Sequence, residues 1–127
     1  MADLKRFNTT QGPKAIGPYH TAVRANGLVF CSGITPIDPA TGQLVEGGIE
    51  EQTMRVLESI RTIAAELGVS MTDAVKATVF LTDMGDFAKM NAIYKEAFAG
   101  GYPARSTVAV AGLPMGARVE VEVIFAE

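Results

Sequence analysis

Arg105 stands in the stretch Gly-Gly-Tyr-Pro-Ala-Arg-Ser-Thr-Val-Ala-Val, residues 100–110, at the mouth of an apolar strand. A guanidinium is always charged, and its planar fork of donors matches two carboxylate oxygens. Side chains alternate along a strand, so Arg105, Thr107, Ala109 and Ala111 share one face, and Ser106, Val108 and Val110 the other. In the last strand, Val119, Val121, Val123 and Phe125 share a face, opposite Arg118, Glu120, Glu122 and Ile124. If these two strands pair as a hairpin with their valine faces together, Arg105 and Thr107 join Glu120 and Glu122. A cation, a hydroxyl and two carboxylates so grouped have two readings. One is a cross-strand ion pair on a solvated face, worth about 0.2–1 kcal/mol. The other is a fork for a small carboxylate, with a proton acceptor beside it.

Other chemistries are poorly supplied. One cysteine and one histidine leave no zinc site of the usual ligand spacing. Cys31, in Gly-Leu-Val-Phe-Cys-Ser-Gly, reads as inert core packing, and His20 as a surface or rim residue. Lys76 and Lys95 read as solvated side chains rather than Schiff-base formers, and Met54 and Met115 as packing. Tyr19 follows Gly17-Pro18 and reads either as a hydrogen-bonding site residue or as a half-buried aromatic with a wet tip. Eleven Lys and Arg against fourteen Asp and Glu give a net charge of −3 with no basic run, which argues against an extended phosphate-binding surface. No apolar run reaches the ~18–20 residues of a membrane span, and the first ten residues lack a secretory apolar core. A cytoplasmic protein without membrane or nucleic-acid partners is the expectation.

These residues need a scaffold. The 127 residues, 48% hydrophobic, suffice for a single domain over 1–127 with a sizeable core. Asn26-Gly27 between two apolar runs predicts a hairpin of residues 20–25 and 28–32, because a type I′ turn needs two positive φ angles. Residues 38–43 read as a turn. Ile49, Thr53, Val56, Leu57, Ile60, Ile63, Ala64 and Leu67 form one stripe of a helix over 49–67, with Glu50 and Glu51 at its start and Gly68 at its stop. A buried strand at 74–81 precedes a second helix at 86–98, with Asp86 as its N-cap. Strands at 105–111 and 117–126 follow, joined through Gly-Leu-Pro-Met-Gly. With a short strand near residues 4–7, the order is βββ-α-β-α-ββ, a two-layer α+β domain with a mixed sheet. Two helices cover one sheet face, so the other face calls for a second subunit.

The stretches Ile-Gly-Pro-Tyr-His-Thr-Ala-Val (16–23), Val-Phe-Cys-Ser-Gly (29–33), the start of the 49–67 helix, residues 75–94 and the segment from Tyr102 to Ala126 together resemble the Rid family. These are the reactive intermediate deaminases, RidA/YjgF-like, also called the endoribonuclease L-PSP family. The resemblance implies a chorismate-mutase-like fold, assembled as a homotrimer around a central barrel, with sites in the clefts between subunits. It implies hydrolysis of 2-imino acids or their enamines, such as 2-iminopropanoate and 2-iminobutanoate, to 2-oxo acids and ammonia. No cofactor and no metal are implied. By resemblance Arg105 grips the substrate carboxylate and Glu120 positions a water, while Tyr19, Ser32, Gly33, Asn91 and Thr107 line the cleft. Thr107 stands where many members carry cysteine, so a role resting on sulfur is lost although a backbone carbonyl contact survives. His20-Thr21 and Ile34 also depart from the common pattern. Another small reactive metabolite as substrate, a non-catalytic binder of small carboxylates, and a ribonuclease or translation inhibitor stand as alternatives.

Overall fold

The structure is a computed structural model describing residues 2–127. Strands β1 (Lys5–Phe7), β2 (Ala22–Ala25) and β3 (Leu28–Cys31) precede helix α1 (Ile49–Leu67). Then come β4 (Ala74–Leu81), α2 (Phe87–Ala97), β5 (Ala104–Ala109) and β6 (Val119–Ala126), the order expected from sequence. The β2–β3 turn is made by Asn26 and Gly27 at φ 52° and 75°, the left-handed pair that the dipeptide predicts.

Every residue of the predicted α1 stripe is buried. Glu51 accepts the Gly48 amide at 2.8 Å at the helix start. Gly68, at φ 82°, ends the helix by donating its amide to the last turn. Arg24 donates to the Leu67 carbonyl at 2.7 Å, placing a cation at the negative end of the helix. Glu66 gathers the N-terminal segment through the Thr9 hydroxyl and the Thr10 and Gln11 amides. Partial burial alone would raise this carboxyl's pKa, but those hydrogen bonds outweigh it and hold the group below its ordinary value.

Asp86 is not the side-chain cap of α2. Its own φ/ψ is already helical, and Asp83 instead accepts the Gly85 amide at 2.8 Å one turn earlier. Asp86 is buried and takes both of its contacts from one Arg118 nitrogen, at 2.8 and 2.9 Å. Buried Gln52, outside the predicted stripe, accepts the Arg118 amide at 2.8 Å. The starts of α1, α2 and β6 are therefore tied together at Arg118.

The six strands form one mixed sheet in the order β1-β2-β3-β6-β4-β5. The expected β5–β6 hairpin does not form. β4 lies between the two strands, antiparallel to β6 and parallel to β5. The reason is the crossover: β4, α2 and β5 make a βαβ unit, and a helix connection brings its two strands in parallel. Ala77, Val79, Val121, Val123, Val29 and Phe125, all at most 1% exposed, point to the helices, where they meet Ile60, Ile63, Met90 and Phe98. The other face carries Phe30 and Val108, 43% and 41% exposed, beside Ile124 and Phe80. Nothing within the described residues covers that face.

Candidate functional site

The strand pairing reverses the grouping expected from alternation. Arg105 lies beside Ala77 and Thr107 beside Val79, on the helix-covered face. Glu120 lies opposite Phe80 and Glu122 opposite Thr78, on the open face. Within one chain the site residues therefore form two groups on opposite sides of the sheet.

The first group is built on α2. Asn91 Oδ1 accepts Arg105 Nη1 at 2.7 Å. The guanidinium carbon lies 4.6 Å from the Tyr94 ring centre and 5.5 Å from that of Phe87, within cation–π range of both. Phe87, Asn91 and Tyr94 follow one another at helical spacing, so one face of α2 supplies all three contacts. Among the described residues no carboxylate pairs with Arg105, and the ion-pair reading of the arginine falls. A cavity of about 400 Å³ opens here, lined by Asn91, Tyr94, Lys95, Tyr102, Pro103 and Arg105. The Tyr94 hydroxyl is buried without a hydrogen-bond partner. Burial pushes its pKa up, and the charge of Arg105 offsets part of that. Sequence reasoning reached Asn91 but not Phe87 or Tyr94. Their i, i+4 and i+7 spacing on the predicted helix was the available signal.

The second group gathers around Glu120. Its carboxylate rests on Gly33: a Cβ there would touch Oε2 and lie 2.8 Å from the carboxyl carbon. Only glycine leaves that space. Backbone bonds between Ile34 and Val121, 2.8 and 3.1 Å, hold this Ser32-Gly33-Ile34 segment against β6. Ser32 Oγ donates to the His20 carbonyl at 2.7 Å, and Tyr19 Oη accepts the Ile16 amide at 3.3 Å. Tyr19, Ser32 and Gly33 border a second cavity of about 360 Å³. Burial raises the pKa of Glu120, and neighbouring Glu122 raises it further. Arg105, across the sheet, is not among the groups that move it.

The remaining candidates fall outside both groups. His20 is exposed, and Lys76 donates to Ser106 Oγ at 3.0 Å on the open face. Cys31 packs against the core, where burial pushes its thiol up to about 12, beyond reach of thiolate chemistry at neutral pH. Met54 and Met115 are about half exposed, at 51% and 48%, so what packing they provide lies outside the buried core. No cluster of metal-ligating side chains occurs among the described residues. No described helix is long and apolar enough to cross a membrane.

Two helices on one face of a six-stranded mixed sheet, with paired clefts around an arginine and a glutamate, define a two-layer α+β protein of the kind seen in Rid/YjgF structures. The chain belongs to the Rid family: the family profile described as Endoribonuclease L-PSP matches residues 9–127. A Rid-family protein of unknown function from Yersinia pestis superposes with a TM-score of 0.95 at 43% identity, over 98% of this chain and 100% of that one. A RutC family protein of Pyrococcus abyssi is 48% identical over 91% of each chain. A mouse (Mus musculus) protein named 2-iminobutanoate/2-iminopropanoate deaminase is 44% identical over 94% of this chain and 89% of its own.

Proposed function

We propose that this protein hydrolyses small 2-imino acids or their enamine tautomers to 2-oxo acids and ammonia. The observation that carries the reading is the state of its two charged groups. Arg105 is held flat by two rings and an amide with no acidic partner, so its outer donors are free for a carboxylate. Glu120 sits in a glycine-floored niche, where burial and Glu122 raise its pKa, the direction that suits a group that both takes and returns a proton. The name of the mouse relative supports the same chemistry.

One chain cannot bring the two groups to one small molecule, since they lie on opposite faces of its sheet. A cleft using both is completed by a second copy. We assign that role to a homotrimer in which the open sheet faces, with Phe30 and Val108, meet around a central barrel. Arg105 and Asn91 of one subunit would then face Tyr19, Ser32, Gly33 and Glu120 of the next. Thr107, two residues beyond Arg105 on the same strand face, offers its backbone carbonyl as an acceptor beside the same cleft.

In the proposed reaction Arg105 binds the carboxylate and orients C2. Water adds to C2 while Glu120 accepts its proton. That proton passes to the nitrogen to give the carbinolamine; Glu120 then carries the proton of the new C2 hydroxyl to the same nitrogen, the C–N bond breaks, and ammonia leaves as the C=O forms. Imines already hydrolyse in water, so acid–base help of about 10²–10⁴-fold is sufficient. No covalent intermediate is needed.

The test is ammonia release from 2-iminopropanoate and 2-iminobutanoate generated in situ by an amino-acid oxidase. The expected result is acceleration well above the buffer rate, from a species that sediments as a trimer. A rate equal to buffer, with 2-oxo acids still bound, would instead make the protein a carboxylate binder. A stable monomer at micromolar concentration would remove the shared cleft.

A further inference from the structure

Residues 8–18, between β1 and β2, belong to no helix or strand. Among the described residues, none of their amides donates to a backbone carbonyl. Such a segment holds one shape only through side-chain anchors. Its second half matters to the site: Pro13, Lys14, Ala15 and Ile16 border the cavity of about 360 Å³ beside Tyr19 and Ser32. Yet within that stretch the described residues show a single hydrogen bond, the exposed one from the Ile16 amide to Tyr19 Oη at 3.3 Å.

The anchors lie in the first half. Glu66, in the last turn of α1, accepts the Thr9 hydroxyl, the Thr10 amide at 3.1 Å and the Gln11 amide at 3.4 Å. It takes part in no ion pair among the described residues, so its partners in the protein are these donors from three consecutive residues. The Thr9 hydroxyl also accepts the Gly12 amide at 2.9 Å. Gly12 lies close against α1, where a Cβ would stand 2.8 Å from Thr9 Oγ1 and 3.3 Å from the Ile63 side chain. A second tie is independent of Glu66. The Thr9 amide donates to Oγ1 of buried Thr21 at 3.0 Å, and the Thr21 carbonyl accepts the Ser32 amide at 2.9 Å.

We infer that Glu66 is a positioning residue for the substrate cleft: its carboxylate clasps residues 9–11 and thereby orders the wall at 13–16, without bordering the cleft itself. The inference rests on the deaminase reading above, which places the substrate in this cleft. Its effect falls on binding rather than on the chemical step. The Thr21 tie joins Ser32 and Gly33, and so the seat of the Glu120 carboxylate, and it survives without Glu66. Arg105 is held from α2, by contacts that do not involve the N-terminal segment. Affinity scales with the fraction of molecules whose wall is ordered, so a fraction of about one tenth reads as a roughly tenfold rise in KM.

The test compares the parent with Glu66→Ala, which suits a helix, and with Glu66→Gln, which keeps one acceptor oxygen. In Glu66→Ala the KM for 2-iminobutanoate is expected to rise about tenfold with kcat within about twofold of the parent. The amides of residues 10–16 are expected to exchange hydrogen faster than in the parent. Glu66→Gln should bring KM back to within about threefold of the parent, because the Thr10 and Gln11 amides regain an acceptor. A merely structural role would lower the melting temperature of Glu66→Ala and leave KM in place, and that result would overturn the inference. So would unchanged exchange at 10–16, a fall in kcat at constant KM, or no recovery in Glu66→Gln. Calorimetry with 2-oxobutanoate separates the two readings. Weaker binding in Glu66→Ala, with no imine turned over by the parent, would keep the clasp and overturn the deaminase reading. Turnover by the parent, with KM and 2-oxobutanoate affinity equal in both proteins, would overturn the clasp alone.

Discussion

Arg105 and Glu120 lie two strands apart on opposite faces of one sheet, and the fold holds them by opposite means. The arginine is gripped through its side chain by α2, with a ring beneath it and an amide at its edge. The glutamate has no such partner: it is positioned by backbone, through β6 and the Ser32-Gly33 segment bonded to it. A cation that must stay charged is given π faces and a carbonyl oxygen. The carboxylate that would exchange a proton in the proposed reaction is given burial and a like charge. The difference says that geometry is fixed on one side and proton affinity on the other.

Removing the proton acceptor should separate the two sides most. Glu120→Gln keeps the volume and is expected to reduce imine kcat by about 10²–10³-fold, with 2-oxo acid affinity largely retained. Full activity in this variant would return Glu120 to a structural role. Arg105→Lys keeps the charge and loses the fork. Charge-assisted hydrogen bonds contribute about 1.5–3 kcal/mol each, so binding and turnover should fall together by about 10–100-fold. If only the melting temperature changes, the arginine is a clamp.

The aromatic platform sharpens the comparison. Tyr94→Leu is expected to weaken 2-oxo acid binding by about tenfold through lost ring contact, in line with a cation–π energy of up to about 2 kcal/mol when desolvated. Tyr94→Phe should restore it, because the Tyr94 hydroxyl has no partner to lose. Failure of phenylalanine to rescue would assign the effect to the hydroxyl.

The pH profile reads the other side. Ionised Glu122 disfavours ionisation of Glu120, so Glu122→Gln should shift the acid limb of kcat/KM to lower pH. Stability responds to the same shift. A folded pKa raised above the unfolded value means that Glu120 costs stability as pH rises from the ordinary carboxylate range through that folded value. Glu122→Gln should reduce that loss, as read from melting temperatures across the acid range. An unchanged limb and an unchanged melting profile would exclude Glu122 as the neighbour that matters. The smallest effect is expected far from both groups. Asp86→Asn should cost about 1–2 kcal/mol, a few degrees of melting temperature, with kcat unaffected.

The elements themselves were legible because each carries its own local signal. Asn26-Gly27 fixes a turn, Gly68 a stop, and the α1 stripe a buried face. The pairing of β5 was not legible from alternation. As an edge strand it mixes Ser106 and Val108 on one face with Arg105 and Thr107 on the other, and hydrophobicity does not choose between them. The βαβ pattern of 74–109 held the answer, since a strand–helix–strand run of that length favours parallel neighbours. Asp86 misled for a similar reason. An acidic residue before a helix is a good cap by composition, but Arg118, distant in sequence, claimed it. Candidate site residues could therefore be named one by one, while their division between two faces required the three-dimensional pairing.

The position of β6 has a consequence for how the chain reaches this state. It follows every other strand in sequence yet lies between β3 and β4, with Val119, Val121, Val123 and Phe125 all at most 1% exposed. Until a ribosome has delivered residues through Phe125, the first three strands and the β4–α2–β5 unit have no shared sheet, only an unfilled gap. Joining Val29 to Phe125 closes a loop of most of the chain, an entropic cost met only at the end. Folding is thus expected to be slow for this size, with both half-sheets exposing pairing edges to other chains while they wait.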